Sequence, residues 1–124
     1  MLIGAHALIY SSQPERLRAF FRDVLQFPNV DAGHGWLIFT LPPAELAIHP
    51  TEAGEANAGA GGTELYLMCD DLDATITELH GRGVELARPI STEAFGRLTA
   101  LRLPDGGEIE LYEPHHPTAL SSRS

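Results

Sequence analysis

Three short stretches that alternate apolar and polar residues carry side chains able to do chemistry. His6 lies in GAHALIY, Glu64 and Tyr66 lie in TELYLMC, and Glu110 and Tyr112 lie in EIELYEP. Successive side chains of a strand point to opposite faces, so within each stretch these residues share a face. Imidazole, carboxylate and phenol groups set among apolar walls are typical of a small-molecule pocket. The pattern therefore predicts a ligand site on one face of a sheet.

The same alternation assigns every strand residue to one of two faces. The apolar face, predicted to form the core, carries Ala5, Ala7, Ile9, Leu46, Ile48, Leu65, Leu67, Cys69, Ile109 and Leu111. The face of the candidate site carries His6, Leu8, Tyr10, Ala47, His49, Glu64, Tyr66, Met68, Glu108, Glu110 and Tyr112. Acidic residues follow Cys69 directly, and because carboxylates raise the pKa of a nearby thiol, we expect this cysteine to be structural rather than nucleophilic.

A series of strand, helix and three strands occurs twice along the chain. In the first half, strand IGAHALIY precedes a helix that Ser12 is predicted to cap and that ends before Pro28, followed by strand-like GWLIFTLPP and AELAIHP. In the second half, strand TELYLMC precedes helix LDATITELHGRG, capped within Asp70 to Asp73, and strands VELARPI, RLTALRLP and EIELYEP. An offset of about 58 positions places His6 on Glu64, as expected of an internal repeat.

The length of 124 residues fits one domain built from these two modules. The predicted boundaries are about 1–50 for module one, about 51–61 for a linker, about 62–114 for module two and about 115–124 for a loose tail. The predicted fold class is α+β.

The net charge of the chain limits the classes of molecule that it is expected to bind. It has 17 acidic against 8 basic residues and a formal net charge of −9 at pH 7, which repels nucleic acids and anionic lipids. The single cysteine cannot form an internal disulfide, and no stretch is long and apolar enough for a signal peptide or membrane span. We expect a cytoplasmic protein with a small-molecule partner, and neither nucleic acid nor membrane as a partner.

Three motifs resemble the vicinal oxygen chelate superfamily, which includes glyoxalase I, methylmalonyl-CoA epimerase, extradiol dioxygenases, fosfomycin-modifying enzymes and bleomycin-resistance proteins. The most specific motif is LPDGGEIELYEP, and GAHALIY and CDDLDATITELHGRGV support it. The resemblance covers nearly the whole chain. It implies two tandem βαβββ modules that form a cupped mixed sheet, with helices on the outer face.

The resemblance also implies a divalent metal at the bottom of the cup. The matching ligand positions are His6, Glu64 and Glu110, while the fourth position falls at Ala47, and a shift of the strand register would let His49 substitute for it. Many family members carry histidine where this chain has Glu64. One histidine with two carboxylates is a harder donor set than the iron oxygenase triad, so Mn, Zn, Ni, Co or Mg is favoured over dioxygenase chemistry.

Several neighbours of these ligands have two readings. If Arg102 pairs with Glu110, no metal is required, whereas a free Arg102 at the rim could hold a substrate carboxylate or phosphate. Tyr66, Tyr112, Trp36 and Met68 are candidate substrate-pocket residues, although packing alone is the favoured interpretation of each.

Two functions follow from the resemblance. The first is a metal-dependent lyase, isomerase or transferase whose small substrate chelates the metal through adjacent oxygens, with Glu110 or His49 as the catalytic base. The second is a metal-free protein that sequesters a ligand, as bleomycin-resistance proteins do. Because family members close the cup within one chain or between two, we also expect a homodimer.

Overall fold

A computed structural model of the chain describes residues 1, 4–48 and 64–122, so His49 and the predicted linker lie outside the described residues. The α+β prediction is confirmed. The elements in chain order are α1 (Pro14–Ala19) with a π-helical continuation (Phe20–Val24), β1 (Asn29–Asp31), β2 (Leu37–Phe39), β3 (Tyr66–Met68), α2 (Leu72–Gly81), β4 (Leu86–Glu93), β5 (Gly96–Arg102), β6 (Glu108–Pro114) and a 3₁₀ turn (Ala119–Ser122).

The second half of the chain forms the predicted βαβββ module. Its four-stranded sheet has the order β3-β6-β5-β4, with β3 parallel to β6 and the other pairs antiparallel. Helix α2 begins after Asp71, whose side chain accepts a hydrogen bond from the Ala74 N–H at 3.0 Å. Glu113 on β6 accepts from the Leu72 N–H at 2.8 Å, so the start of the helix is tied to the central strand.

The first half differs from its prediction. Residues 4–10 and 44–48 are in no strand, so the strand predictions for IGAHALIY and AELAIHP are wrong for the described part of these segments. The small antiparallel sheet instead pairs β1 with β2. An isolated segment with a strand-like sequence does not become a strand unless another strand satisfies its backbone groups. Ile9, Leu46 and Ile48 are consequently exposed and not part of the core, contrary to prediction.

The first helix also begins differently. Its N-cap residue is Gln13, with Pro14 in the first turn, and no side chain caps it, so the prediction of a Ser12 cap is wrong. The hydroxyl of Ser11 instead accepts from the Gln13 N–H at 3.0 Å and donates to Asp105 on the turn between β5 and β6. This contact joins the start of the helix to the second module.

The core lies between the helices and one face of the four-stranded sheet. Its buried members are Leu17, Phe21, Leu72, Leu79, Val84, Leu101, Leu103, Ile109 and Leu111. Phe21 comes from the first half, and its ring lies 5.5 Å from that of Phe27 and 5.7 Å from that of Phe39. Among the described residues, none of the helices has both the length and the apolar character of a membrane span.

Candidate ligand site

The face of the sheet opposite the core carries the candidate site and is called the site face here. Tyr66 on β3 is the register partner of Glu110 on β6, and Met68 is the partner of Tyr112. Ile109 and Leu111 are buried in the core, so Glu110 between them points to the other face. The alternation of β3 and β6 therefore places their predicted site residues together.

Arg88 on β4 is the residue that sequence reasoning missed. Its guanidinium donates to Oε1 of Glu110 and lies 3.5 Å from Oε1 of Glu108. Arg88 and Glu110 both pair with Ala100 on β5, from its two sides, so they share a face. Of the two alternatives for Arg102, pairing with Glu110 does not occur in this structure, because Arg102 lies opposite Glu108 and is exposed. The register of β4 is irregular next to Arg88. Counting alternate residues along the sequence of this strand therefore does not predict the pairing of Arg88 with Glu110.

The carboxylate of Glu110 is only half satisfied. Arg88 occupies Oε1, but Oε2 is buried and has no hydrogen-bond partner among the described residues. The side chain as a whole is 23% exposed, so its surroundings are only partly open to water. A buried acceptor without a donor is unfavourable, which marks this oxygen as a point where a ligand with a donor group gains energy.

Tyr66 forms the open wall of the site. It is 38% exposed, and its hydroxyl donates to Oε1 of Glu64 at 3.4 Å. Burial, followed by the negative charges of Glu64 and Glu110, raises the pKa of Tyr66, so the phenol keeps its proton at neutral pH. The surface thus offers an aromatic ring beside a carboxylate.

Tyr112 is closed off in this conformation. It is 8% exposed, and the ring of Tyr66 stands edge-on to it at 6.0 Å. Phe95 and His116 cover it at ring distances of 5.9 Å and 5.8 Å, and its hydroxyl donates to the Phe95 carbonyl at 3.1 Å. Burial raises the pKa of this tyrosine as well, with a smaller contribution from Glu45.

The other predicted site residues lie in different surroundings. His6 is in the exposed segment 4–10. Trp36 is exposed in the β1–β2 turn, with the Arg18 guanidinium 4.6 Å from its ring centroid. Met68 is half-buried and lines a small apolar cavity of about 150 Å³ together with Cys69 and Leu101. Burial raises the pKa of the Cys69 thiol, which agrees with a structural cysteine.

The described residues do not fit a divalent metal as they are arranged here. No group of three or more His, Cys, Asp or Glu among them could hold a metal ion. Arg88 also places a positive charge directly on Glu110, where it competes electrostatically with a cation at the same oxygen. The ligand set of His6, Glu64 and Glu110 stays a prediction.

Comparison with known proteins agrees with this fold. The model of the Glyoxalase/Bleomycin resistance protein/Dioxygenase superfamily matches residues 4–111. The chain is 26% identical to TnmS3, an antibiotic binding protein from Streptomyces sp. CB03234, with 92% of this chain and 98% of that chain covered and a TM-score of 0.59. No curated protein matches the chain.

Two further solved structures share the fold. A lactoylglutathione lyase from Agrobacterium tumefaciens is 18% identical, with 89% of this chain and 92% of that chain covered and a TM-score of 0.61. A superfamily member from Sphaerobacter thermophilus DSM 20745 is 23% identical, with 90% and 97% covered and a TM-score of 0.57. The chain belongs to the glyoxalase/bleomycin resistance protein/dioxygenase superfamily, and the resemblance seen in its motifs is confirmed.

Proposed function

We propose that the chain is a metal-free binding protein for a small, positively charged aromatic molecule. The observation that carries the proposal is the unpartnered, buried Oε2 of Glu110, next to the open ring of Tyr66. A ligand with a cationic donor would hydrogen-bond to this oxygen, and its ring would lie against the phenol. Glu64 and Glu108 add negative charge nearby, while Arg88 and the exposed Arg102 opposite Glu108 add positive charge.

The likeness to an antibiotic binding protein supports this class of function. The acidic balance of the chain supports a cationic ligand, because an attractive surface potential speeds the encounter of opposite charges. Arg88 has a defined part in the proposal. It donates to one oxygen of Glu110 and leaves the other for the ligand, while its positive charge limits how tightly a cation binds.

The test uses two fluorescent aromatic probes of opposite charge, ethidium and 8-anilinonaphthalene-1-sulfonate, titrated against the untagged chain. Ethidium should bind more tightly than the anionic probe. Glu110→Gln should weaken ethidium binding roughly 10- to 100-fold, the range expected for loss of a hydrogen bond to a charged group. Glu78→Gln removes the same charge from the outer surface of α2 and should leave binding within about twofold, as expected of an exposed charge. Equal affinity for both probes would contradict the proposal.

A metal-dependent lyase or isomerase is the second candidate, favoured by the same unpartnered oxygen of Glu110. It would require Arg88 to leave that carboxylate and His6 to join it. Adding Mn, Zn, Ni, Co or Mg separates the two functions, because an ion specific for the folded state raises the melting temperature. A rise that both His6→Ala and Glu110→Gln abolish would favour the metalloenzyme and overturn metal-free binding.

We also propose that two copies assemble into a homodimer. Tyr10, Leu46 and Ile48 are 90%, 84% and 88% exposed, on segments whose sequences are typical of strands. Large exposed apolar groups of this kind mark interaction surfaces. A second copy would supply the neighbouring strands that segments 4–10 and 44–48 lack in the single chain.

A further inference from the structure

The residues after β6 run back over the site face, where backbone hydrogen bonds at two points help to hold them. At the first point, the His115 N–H donates to the Phe95 carbonyl at 2.8 Å, and its ring contacts Glu113 at 2.7 Å. At the second, Oε1 of Glu45 accepts from the Ala119 N–H at 2.8 Å. Residues 115–120 therefore form a bridge from the end of β6 to the first half of the chain.

His116 lies between these two points and rests on Tyr112. The two rings stack at 5.8 Å with an interplanar angle of 30°, and Nε2 of His116 lies 4.0 Å from Oε2 of Glu45. This stacking, with Phe95 on another side, leaves Tyr112 almost without contact with solvent. Tyr112 nevertheless stands two residues from Glu110 on the same face of β6 and touches Tyr66.

We propose that residues 115–120 act as a strap that closes one end of the site and must release before Tyr112 can contact a ligand. The contacts that hold the strap include hydrogen bonds near the surface and the 4.0 Å approach of His116 to Glu45. Contacts of this kind contribute little each, so the strap belongs to the easily opened part of the molecule. Its release would extend the site along β6 by one aromatic ring. The role in ligand binding rests on the proposed function, whereas the cover over Tyr112 does not.

Tyrosine acetylation with N-acetylimidazole, quantified by peptide mass spectrometry, tests the cover without any ligand. N-acetyltyrosine amide, added to the same sample, is the fully exposed reference. In the unaltered chain Tyr112 should react far more slowly than this reference. His116→Ala and Glu45→Ala should each raise its reactivity about fivefold or more, as expected for loss of a modest closing interaction. His115→Ala keeps the backbone anchor and loses only the ring contact with Glu113 at the end of β6, so it should change the reactivity of Tyr112 by less than about twofold.

A chain that ends at Pro114 provides a second variant, checked for folding by its melting transition. If Tyr112 reacts no faster in that chain than in the full chain, or if it reacts as fast as N-acetyltyrosine amide in the full chain, the proposed strap is overturned. Where ethidium binds, His116→Ala should also accelerate its association about fivefold, and an unchanged rate would contradict the gating. Failure of ethidium to bind any variant would contradict the proposed function alone, because the acetylation result stands without it.

Discussion

At the scale of single residues, the site is governed by how one carboxylate shares its two oxygens. Arg88 donates to Oε1 of Glu110, and Oε2 has no partner among the described residues. A fully paired carboxylate would have little reason to bind a cation, and an entirely unpaired one would be costly to bury. Because Arg88 pairs with one oxygen only, Glu110 can be partly buried and still offer its other oxygen to a cation.

Removing this guanidinium should strengthen cation binding. Arg88→Met keeps much of the side-chain volume but deletes the positive charge next to Glu110. Ethidium affinity should then rise roughly tenfold, equivalent to about 1.4 kcal/mol of lost repulsion. Arg22→Met is the matched control, because Arg22 pairs with its neighbour Asp23 on the helix surface. Fluorescence titration measures both variants, and a weaker or unchanged affinity for Arg88→Met would show that Arg88 does not oppose the ligand.

At the scale of elements, the pairing of β5 with β6 positions Glu108, Glu110 and Tyr112. The two strands pair without interruption from Gly96 opposite Pro114 to Arg102 opposite Glu108. Where they begin, a Cβ on Gly96 would lie 2.3 Å from the Glu113 carbonyl oxygen and 2.9 Å from Cε1 of Tyr112. This close approach of two backbones is possible only with glycine.

Gly96→Ala should therefore destabilise the chain. The added methyl group forces β5 away from β6 at this end, a form of overpacking that costs about 1–3 kcal/mol. Gly81→Ala is the control, since a Cβ there meets nothing within 4 Å and alanine favours the helix. Urea unfolding should give a lower midpoint for Gly96→Ala and an equal or higher one for Gly81→Ala. Equal midpoints for Gly96→Ala and the unaltered chain would show that the strands can separate there without cost.

At the scale of the whole molecule, the second half of the chain forms a full βαβββ module, whereas the first half lacks two of its predicted strands in the described residues. The second half forms a four-stranded sheet with a buried face. The first half contributes a helix and a two-stranded hairpin and leaves apolar residues of segments 4–10 and 44–48 in solvent. A protein with this much exposed apolar surface gains free energy by burying it against another molecule.

Sedimentation should consequently show a dimer of the full chain. Leu46→Asp places a charge in the exposed apolar surface and should shift the population to monomer, because a buried unpaired charge is strongly unfavourable in an interface. Ile90→Asp makes the same change on β4, at the opposite edge of the sheet from β3, and should leave the dimer intact. A monomer at all concentrations of the unaltered chain would contradict the homodimer.

The sequence by itself determined the superfamily, the second module and the residues that share a face. The alternation in TELYLMC and EIELYEP depends only on the two-residue period of a strand, so Tyr66 and Glu110 could be placed together without coordinates. The N-cap of α2 at Asp71 likewise depends only on residues close in the sequence. These features could be predicted because each is encoded by neighbours in the chain.

Only the tertiary structure decided which charge meets Glu110 and what covers Tyr112. Arg88 reaches Glu110 across β5 next to an irregular register, and His116 reaches Tyr112 because the chain turns back after β6. The exposure of segments 4–10 and 44–48 was also decided only by the tertiary structure, since it depends on whether a partner strand lies beside them. Such contacts join residues distant in sequence, and side-chain period and local capping carry no information about them.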